Sequence, residues 1–481
     1  MSRPPALVAI DLGAESCRIS LLHATKNDPG NVPRLTMVRR FENGPVKHGA
    51  AGWHWNLDRI CAELDSGLRA CAELVPEGIA AIGVTGWAVD YVRLAPSGMP
   101  IAAPFCYRDE RNEFAMEAVH GILPAESLYA RTGVQIQPIN TIYQLFADLR
   151  SGIPASAPWV NLPEYILHWL GAPRIAEYTN ATHTALVDAE TRQWSPEIFS
   201  ALGLDLAAAP ELVAPGTALG PLRADLREIP AFAHTQLLAP ACHDTASAIA
   251  GIPERHGSGP QWGYISSGTW SLVGAPLAQS LRTYEAFTGG FTNLGSADGG
   301  ILFHRGIPGM WLLRQCMNTW DENRHWDLPE LIAAAQRVPA PDQFLNLDDP
   351  ALLFPGDMAA RINEQRARHH LAPLPFGSDA APIYASLIFH SLAHRYGELF
   401  RAIEKMTARR LERICVVGGG SQNEYLNDLT AQATGTPVRR CSAESSTLGN
   451  FAIQWARIEQ PSGPLQPRFV EEKVAALTQV Q

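Results

Sequence analysis

The chain of 481 residues contains no CxxC pair: its eight cysteines (Cys17, Cys61, Cys71, Cys106, Cys242, Cys316, Cys415 and Cys441) are scattered. That excludes a disulfide framework and a cysteine zinc site, and it predicts buried, reduced thiols in a reducing compartment. No apolar run approaches the about 20 residues of a membrane span. The opening MSRPPALVAIDLG breaks its short apolar run with Asp11, unlike a secretory signal, so the expectation is a cytoplasmic protein that engages no membrane. Positive charge is also short. The formal net charge of −10 lacks the basic footprint that nucleic-acid binding needs. The sequence has neither a GxxxxGK[ST] phosphate loop nor a GxGxxG dinucleotide fingerprint. Its fifteen histidines include no HExxH; adjacent His369 and His370 read as solvated.

What is present points to a mixed α/β protein with ample core, 46% hydrophobic and 18% charged, too long for one hydrophobic core. Strand-like runs come first (Leu7–Ile10, Arg18–His23, Leu35–Phe41). A helix follows whose stripe is Leu57, Ile60, Leu64, Leu68 and Cys71. The division is placed at residues 1–237 and 238–481. The second half has a strand pair over 262–275 and a long helix from Tyr384 to Lys405, with Tyr384, Ile388, Leu392, Leu399 and Ile403 as its stripe. RICVV then runs into Gly418-Gly419-Gly420 and a helix near Gln422. Val338–Met358 reads as a surface excursion, and TLGNFAIQWARI as an amphipathic helix with Trp455 in the core.

Four segments could carry chemistry. LVAIDLGAESCRISLL places Asp11 at a strand end before the turn Gly13-Ala14-Glu15-Ser16, and QWGYISSGTWSLVGAPL repeats the plan half a chain later. Consecutive N–H groups in small-residue turns make anion sites, and a Mg²⁺ could join Asp11 to bound phosphates. Arg18 and the Thr269 hydroxyl would add donors. The bland alternative is a tight hairpin with a turn-stabilising acid. In ACHDTASAIAGIP, Asp244 could take a hydroxyl proton in phosphoryl transfer, or could simply be an N-cap. The triple glycine permits close approach of a ligand.

DLGAESCR, CHDTASA, SSGTWSL and VVGGGSQN, with EYTNATHTALVD, RTGVQIQPINTIYQL and AESSTLGN, closely resemble the FGGY family of carbohydrate kinases along nearly the whole chain and in the same order. The resemblance implies an α/β, actin-like ATPase fold: two ribonuclease H-like domains around a cleft that holds ATP and sugar. It implies that Asp244 is the general base, that His243 and Thr245 flank the sugar, and that Asp11 reaches Mg²⁺. Phosphate-side contacts fall on Gly13, Ala14, Glu15, Ser16, Cys17, Arg18 and Thr269, and the adenine side on Gly420. The sequence departs from the family pattern at Ala88 and Gly306 on the sugar side, and at Cys17 and Arg314 on the nucleotide side. Arg108 and Asp109 match a family segment near the sugar without an assigned role. The expected acceptor is a ketose, L-rhamnulose first, with L-fuculose or another polyol as the alternative and a sugar-binding relative that has lost catalysis as the rival class. The expected partners are small molecules alone, on a monomer or homodimer.

Overall fold

The computed structural model describes residues 5–24, 33–47, 49, 52–253, 261–320, 326–353 and 356–478. They form two compact units. Unit 1 comprises Met1–Gly257, Leu277–Phe303 and Ser445–Gln481; unit 2 comprises Ser258–Pro276 and His304–Glu444. The expected division at 237/238 divides the sequence; in space the first unit also takes up the C-terminal segment.

Unit 1 is built on a six-stranded sheet. Its strands are β1 (Leu7–Leu12), β2 (Ser16–His23), β3 (Arg34–Glu42), β4 (Ala81–Gly86), β5 (Thr217–Pro221) and β6 (Gln236–Ala239), in the order β5-β6-β4-β1-β2-β3. β1 pairs antiparallel with β2 and parallel with β4, which covers their edges, and helices packed against the sheet cover their faces. That explains their uninterrupted burial, which alternation alone would not predict. Between β3 and β4 runs α1 (Leu57–Leu74), started by Asn56, whose side chain accepts from the Arg59 N–H. It buries the predicted stripe Leu57, Ile60, Leu64, Leu68 and Cys71, each large apolar side chain contributing about 1.5–3 kcal/mol. Two further helices matter to the site: α2 (Leu162–Leu170) and α3 (Asp244–Ala250).

Unit 2 contains β7 (Trp262–Ser267), β8 (Trp270–Leu277), β9 (Ile301–Pro308), β10 (Arg413–Val417) and β11 (Val438–Arg440), in the order β9-β8-β7-β10-β11. β7 pairs antiparallel with β8 and parallel with β10, the same relation that β1 has to β2 and β4. α4 (Trp311–Thr319) follows β9, and α5 (Ala381–Thr407) buries Tyr384, Ile388, Leu392, Leu399 and Ile403 as the periodicity predicts. The segment expected as a surface excursion turns Leu345, Leu347 and Leu352 inward while Phe344 and Leu353 stay exposed; residues 354–355 lie outside the described residues.

The chain returns to unit 1 as α6 (Ser445–Glu459). This is the helix read as amphipathic, and the structure corrects that reading: every residue from Thr447 to Ala456 is buried, Trp455 among them. Two of its amide groups donate to the sheet. Asn450 Nδ2 donates to Gly83 O at 3.2 Å, and Gln454 Nε2 to Val8 O at 2.9 Å. Glycine makes the close approach possible. A Cβ on Gly449 would lie 1.9 Å from Ser247 O in α3, and one on Gly251 2.2 Å from Ser445 O.

Gly449→Ala should therefore destabilise unit 1 by about 1–3 kcal/mol through overpacking. That outweighs the roughly 1 kcal/mol that Ala gains over Gly inside a helix. The midpoint of urea unfolding measures it, and an unchanged or higher midpoint would refute the contact.

Candidate active site

β1 delivers Asp11 to the mouth of a turn that needs glycine: a Cβ on Gly13 would sit 2.4 Å from Ser16 O. Asn43 ties this turn down, with Nδ2 donating to Gly13 O and its backbone N–H to Glu15 O, both at 2.9 Å. Ala14, Glu15 and Ser16 are half-buried on it. Cys17 is fully buried and its thiol is pushed up to about 12, chiefly by burial. It stays protonated at neutral pH and serves packing, not reactivity.

Asp11 is 6% exposed and collects three segments. Arg18 Nη1 lies 3.1 Å from Oδ2, while the hydroxyls of Thr85 and Ser446 each lie 3.3 Å from Oδ1. Arg18 is one hairpin partner away, in register with Asp11. Thr85 is its neighbour on the parallel strand. Ser446 enters from 435 residues downstream on α6. Sequence reasoning missed Thr85 and Ser446; the AESSTLGN motif was the available signal for the second.

Asp244 opens α3, but it is not the N-cap that its local sequence allowed. The cap position is His243, with extended backbone, and Asp244 is the first helical residue, so its side chain is released from capping. The carboxylate is 37% exposed as a side chain; Thr245 Oγ1 donates to Oδ1 at 3.2 Å, and His243 Nε2 lies 3.3 Å from the same oxygen. Its pKa is raised to about 7, first by desolvation and next by the negative charge of Asp11, with Thr245 and Arg18 opposing. Unit 1 thus brings together Asp11, Arg18, His243, Asp244 and Thr245.

Two fully buried carboxylates stand behind this segment. Glu177 Oε2 accepts the Cys242 N–H at 2.7 Å and the Thr179 hydroxyl at 2.5 Å, and its Oε1 takes the Thr179 N–H at 2.9 Å. Glu164, on α2, accepts from Asn180 Nδ2 at 2.7 Å and from the Glu177 N–H at 3.1 Å. Burial raises both: Glu164 to about 8, with the charge of Glu177 as the second cause, and Glu177 to about 7.

Ala88 lies in the turn after β4, buried beside Val89, which holds φ +71°. A β-branched residue there is strained, and its neighbours hold it in place. Val89 O accepts from Thr141 Oγ1 at 2.7 Å, and Asp90 accepts the indole N–H groups of Trp55 and Trp87 at 2.6 and 2.9 Å. Asp109 accepts the Trp53 N–H, and Arg108 lies over the Tyr107 ring; both organise the chain beside these tryptophans.

In unit 2 the Gly268-Thr269 turn is fastened to α4. Gly268 O accepts the Met310 N–H at 3.0 Å, and Thr269 O accepts those of Gly309 and Trp311. Arg314 is exposed on the same helix. Gly306 lies on β9, where a Cβ would be 3.1 Å from Leu272 Cδ2, so a larger side chain would displace that leucine. Gly418 (φ +81°) and Gly420 back onto Ser267, and a Cβ on Gly420 would lie 2.0 Å from its Oγ. Gly420 is therefore buried, and Gly419 is the exposed glycine of the three.

Comparison with known proteins agrees over both halves. Residues 6–251 match the N-terminal domain, and 263–457 the C-terminal domain, of the FGGY family of carbohydrate kinases. The chain is 35% identical to a rhamnulokinase of Enterococcus faecalis, covering 93% of this chain and 88% of that one. It is 32% identical to a rhamnulokinase of Bacteroides thetaiotaomicron over 93% and 89%. A ligand-bound xylulose kinase structure from Lactobacillus acidophilus superposes with a TM-score of 0.74 at 13% identity, covering 99% and 96%. A Plasmodium falciparum glycerol kinase with ADP gives 0.73 at 13% identity, covering 98% and 92%. The structural likeness establishes the actin-like ATPase fold.

The buried acid pair makes a pH prediction. With folded pKa values raised above the ordinary glutamate value of 4.5, the native state holds protons that the unfolded state has released. This contribution to stability is full below about 4.5 and is lost as pH climbs through 7 to 8. Glu164→Gln should flatten that slope, so unfolding midpoints of variant and parent should diverge in the variant's favour between pH 5 and pH 8. Parallel curves would show that Glu164 is not protonated in the folded protein.

Proposed function

The chain belongs to the FGGY family of carbohydrate kinases, and from that premise we propose that it transfers the γ-phosphoryl group of ATP to the primary hydroxyl of L-rhamnulose, giving ADP and L-rhamnulose 1-phosphate. The observation that carries the chemistry is Asp244, solvent-accessible at the start of α3 with its carboxyl raised to about 7. The sugar identity is supported by the named relatives that match along nearly the whole chain.

In this reading Asp244 takes the hydroxyl proton as the sugar oxygen attacks phosphorus; the O–P bond forms while the bond from phosphorus to the bridging oxygen breaks, and ADP leaves. A base with a pKa near neutrality suits that work. His243 and Thr245 hold its carboxylate and contact the sugar, and Ala88 and Gly306 shape the sugar side. In the family pattern the nucleotide contacts fall on the Gly13–Arg18 turn of unit 1, with Cys17 packed beneath it, and on Thr269, Arg314 and the turn of Gly420 in unit 2. Mg²⁺ fits Asp11: one buried carboxylate with the hydroxyls of Thr85 and Ser446 is a hard-oxygen set suited to a cation that keeps its waters and phosphates. When bound, the ion offsets phosphate charge. The reaction is placed in the cytoplasm, in the breakdown of a deoxy sugar. A second reading, another ketose such as L-fuculose, is favoured by Ala88, whose methyl group occupies the rigid turn held by Val89 and Asp90.

An ADP-release assay across a ketose panel tests the substrate, with L-rhamnulose expected to give the highest kcat/KM; a lead for L-fuculose would favour the second reading. Asp244→Asn should lower kcat by about 10²–10⁴-fold while leaving the KM for ATP nearly unchanged. Because only the ionised base works, kcat/KM for the sugar should fall tenfold per unit as pH drops below about 7. A flat profile from pH 5 to 8 would remove Asp244 from the role. Asp11→Asn should raise the Mg²⁺ concentration needed for half-maximal rate, and an unchanged requirement would count against that assignment.

A further inference from the structure

Building on the reading of Asp244 as proton acceptor, we infer that His183 is a positioning residue for that acid: it sets which ring nitrogen of His243 carries the proton, and thereby turns an N–H toward Asp244. His183 Nε2 lies 3.1 Å from His243 Nδ1, and the two rings meet edge to face with centroids 4.0 Å apart. On its far side, His243 Nε2 is 3.3 Å from Asp244 Oδ1. Three residues of one short segment, Glu177, Thr179 and His183, thus grip the tripeptide that carries the base. Glu177 takes the Cys242 N–H, the Thr179 hydroxyl lies 3.4 Å from the His243 N, and His183 meets the ring.

The backbone of His243 is fixed by those bonds and by the Ser247 N–H, which donates to its carbonyl at 2.9 Å. What remains to be set is the proton on its buried ring. An ionised Asp244 only accepts, so His243 must present Nε2–H to it. A neutral imidazole with its proton on Nε2 has a lone pair on Nδ1, and the proton in the 3.1 Å contact then belongs to His183 Nε2. The opposite tautomer would aim a lone pair at the carboxylate. With His243 and the Thr245 hydroxyl both on Oδ1, the geometry assigns Oδ2 to the sugar proton. A residue at 183 that cannot donate removes the proton offered to His243 Nδ1 and favours the opposite tautomer, which releases Asp244 from its orientation.

The test compares His183→Leu, which removes the donor, with His183→Gln, whose amide N–H keeps one. The leucine variant should lose roughly 10- to 100-fold in kcat, the scale of a misplaced supporting group, with KM for ATP within about twofold. The glutamine variant should recover most of the loss. Nitrogen NMR of ¹⁵N-histidine-labelled, ligand-free enzyme, with His243 assigned by its absence in His243→Asn, should show Nε2 protonated in the parent and in His183→Gln, and Nδ1 gaining the proton in His183→Leu. Equal losses in the two variants, or a parent His243 protonated on Nδ1, would overturn the inference. The parent spectrum decides the matter even if the leucine variant does not fold. A parent that phosphorylates no sugar would refute the proposed function instead, and the tautomer reading would then stand or fall by the spectra alone.

Discussion

A single buried carboxylate organises unit 1. Asp11 joins the second strand of its own hairpin through Arg18, the parallel neighbour strand through Thr85, and the C-terminal helix through Ser446. Burying a charge is costly unless it is paired and hydrogen-bonded, and Asp11 has both kinds of partner. Its negative charge also reaches Asp244 and helps to lift that carboxyl to about 7. The two acids thereby differ in their surroundings: Asp11 is held by a guanidinium and two hydroxyls, and Asp244 has its carboxyl raised by burial and by Asp11. Moving α6 would undo both, since Ser446 is at its start and Gly449 sets its distance from α3.

Other buried acids in the unit serve as anchors for backbone. Glu177 grips the N–H of Cys242, and Asp90 grips two indoles beside the strained Val89. In each case a carboxylate that pays for desolvation with a raised pKa fixes a loop too short to hold itself. A water-filled loop could reach the same conformation transiently; a loop bonded to a buried acid holds it continuously. That is the preorganisation that phosphoryl transfer demands, where positioning and electrostatics do most of the catalysis.

Much of this was legible in the sequence, and the rest was hidden for identifiable reasons. The stripe of α1, the hairpin around Gly13 and the burial of Cys17 follow from local pattern, because each depends on neighbours within a few residues. Asp244 was legible as an acid at a strand end but not as the first helical residue, because the cap fell to His243, a residue type that seldom caps. The contact of Ser446 with Asp11, and of Glu177 with Cys242, joins positions far apart in the chain, and no periodicity reports such a pairing. The α6 helix misled for a related cause. An amphipathic reading expects one solvated face, whereas here the sheet carbonyls of Gly83 and Val8 take the amide donors of Asn450 and Gln454.

The two hairpins share a plan but differ in what they offer. In unit 1 the position two residues before the turn glycine carries Asp11 opposite Arg18; in unit 2 that position carries Ser266 opposite Leu272. The parallel neighbour follows suit, with Thr85 beside Asp11 but Val417 beside Ser266, leading into the glycine turn. A carboxylate and a guanidinium give the first hairpin an ion pair at its turn. Hydroxyls and bare glycine backbone give the second a neutral surface of donors, better matched to an anion that arrives with its own charge. The same topology thus carries different residues at one register position, a charged pair in unit 1 and a neutral pair in unit 2.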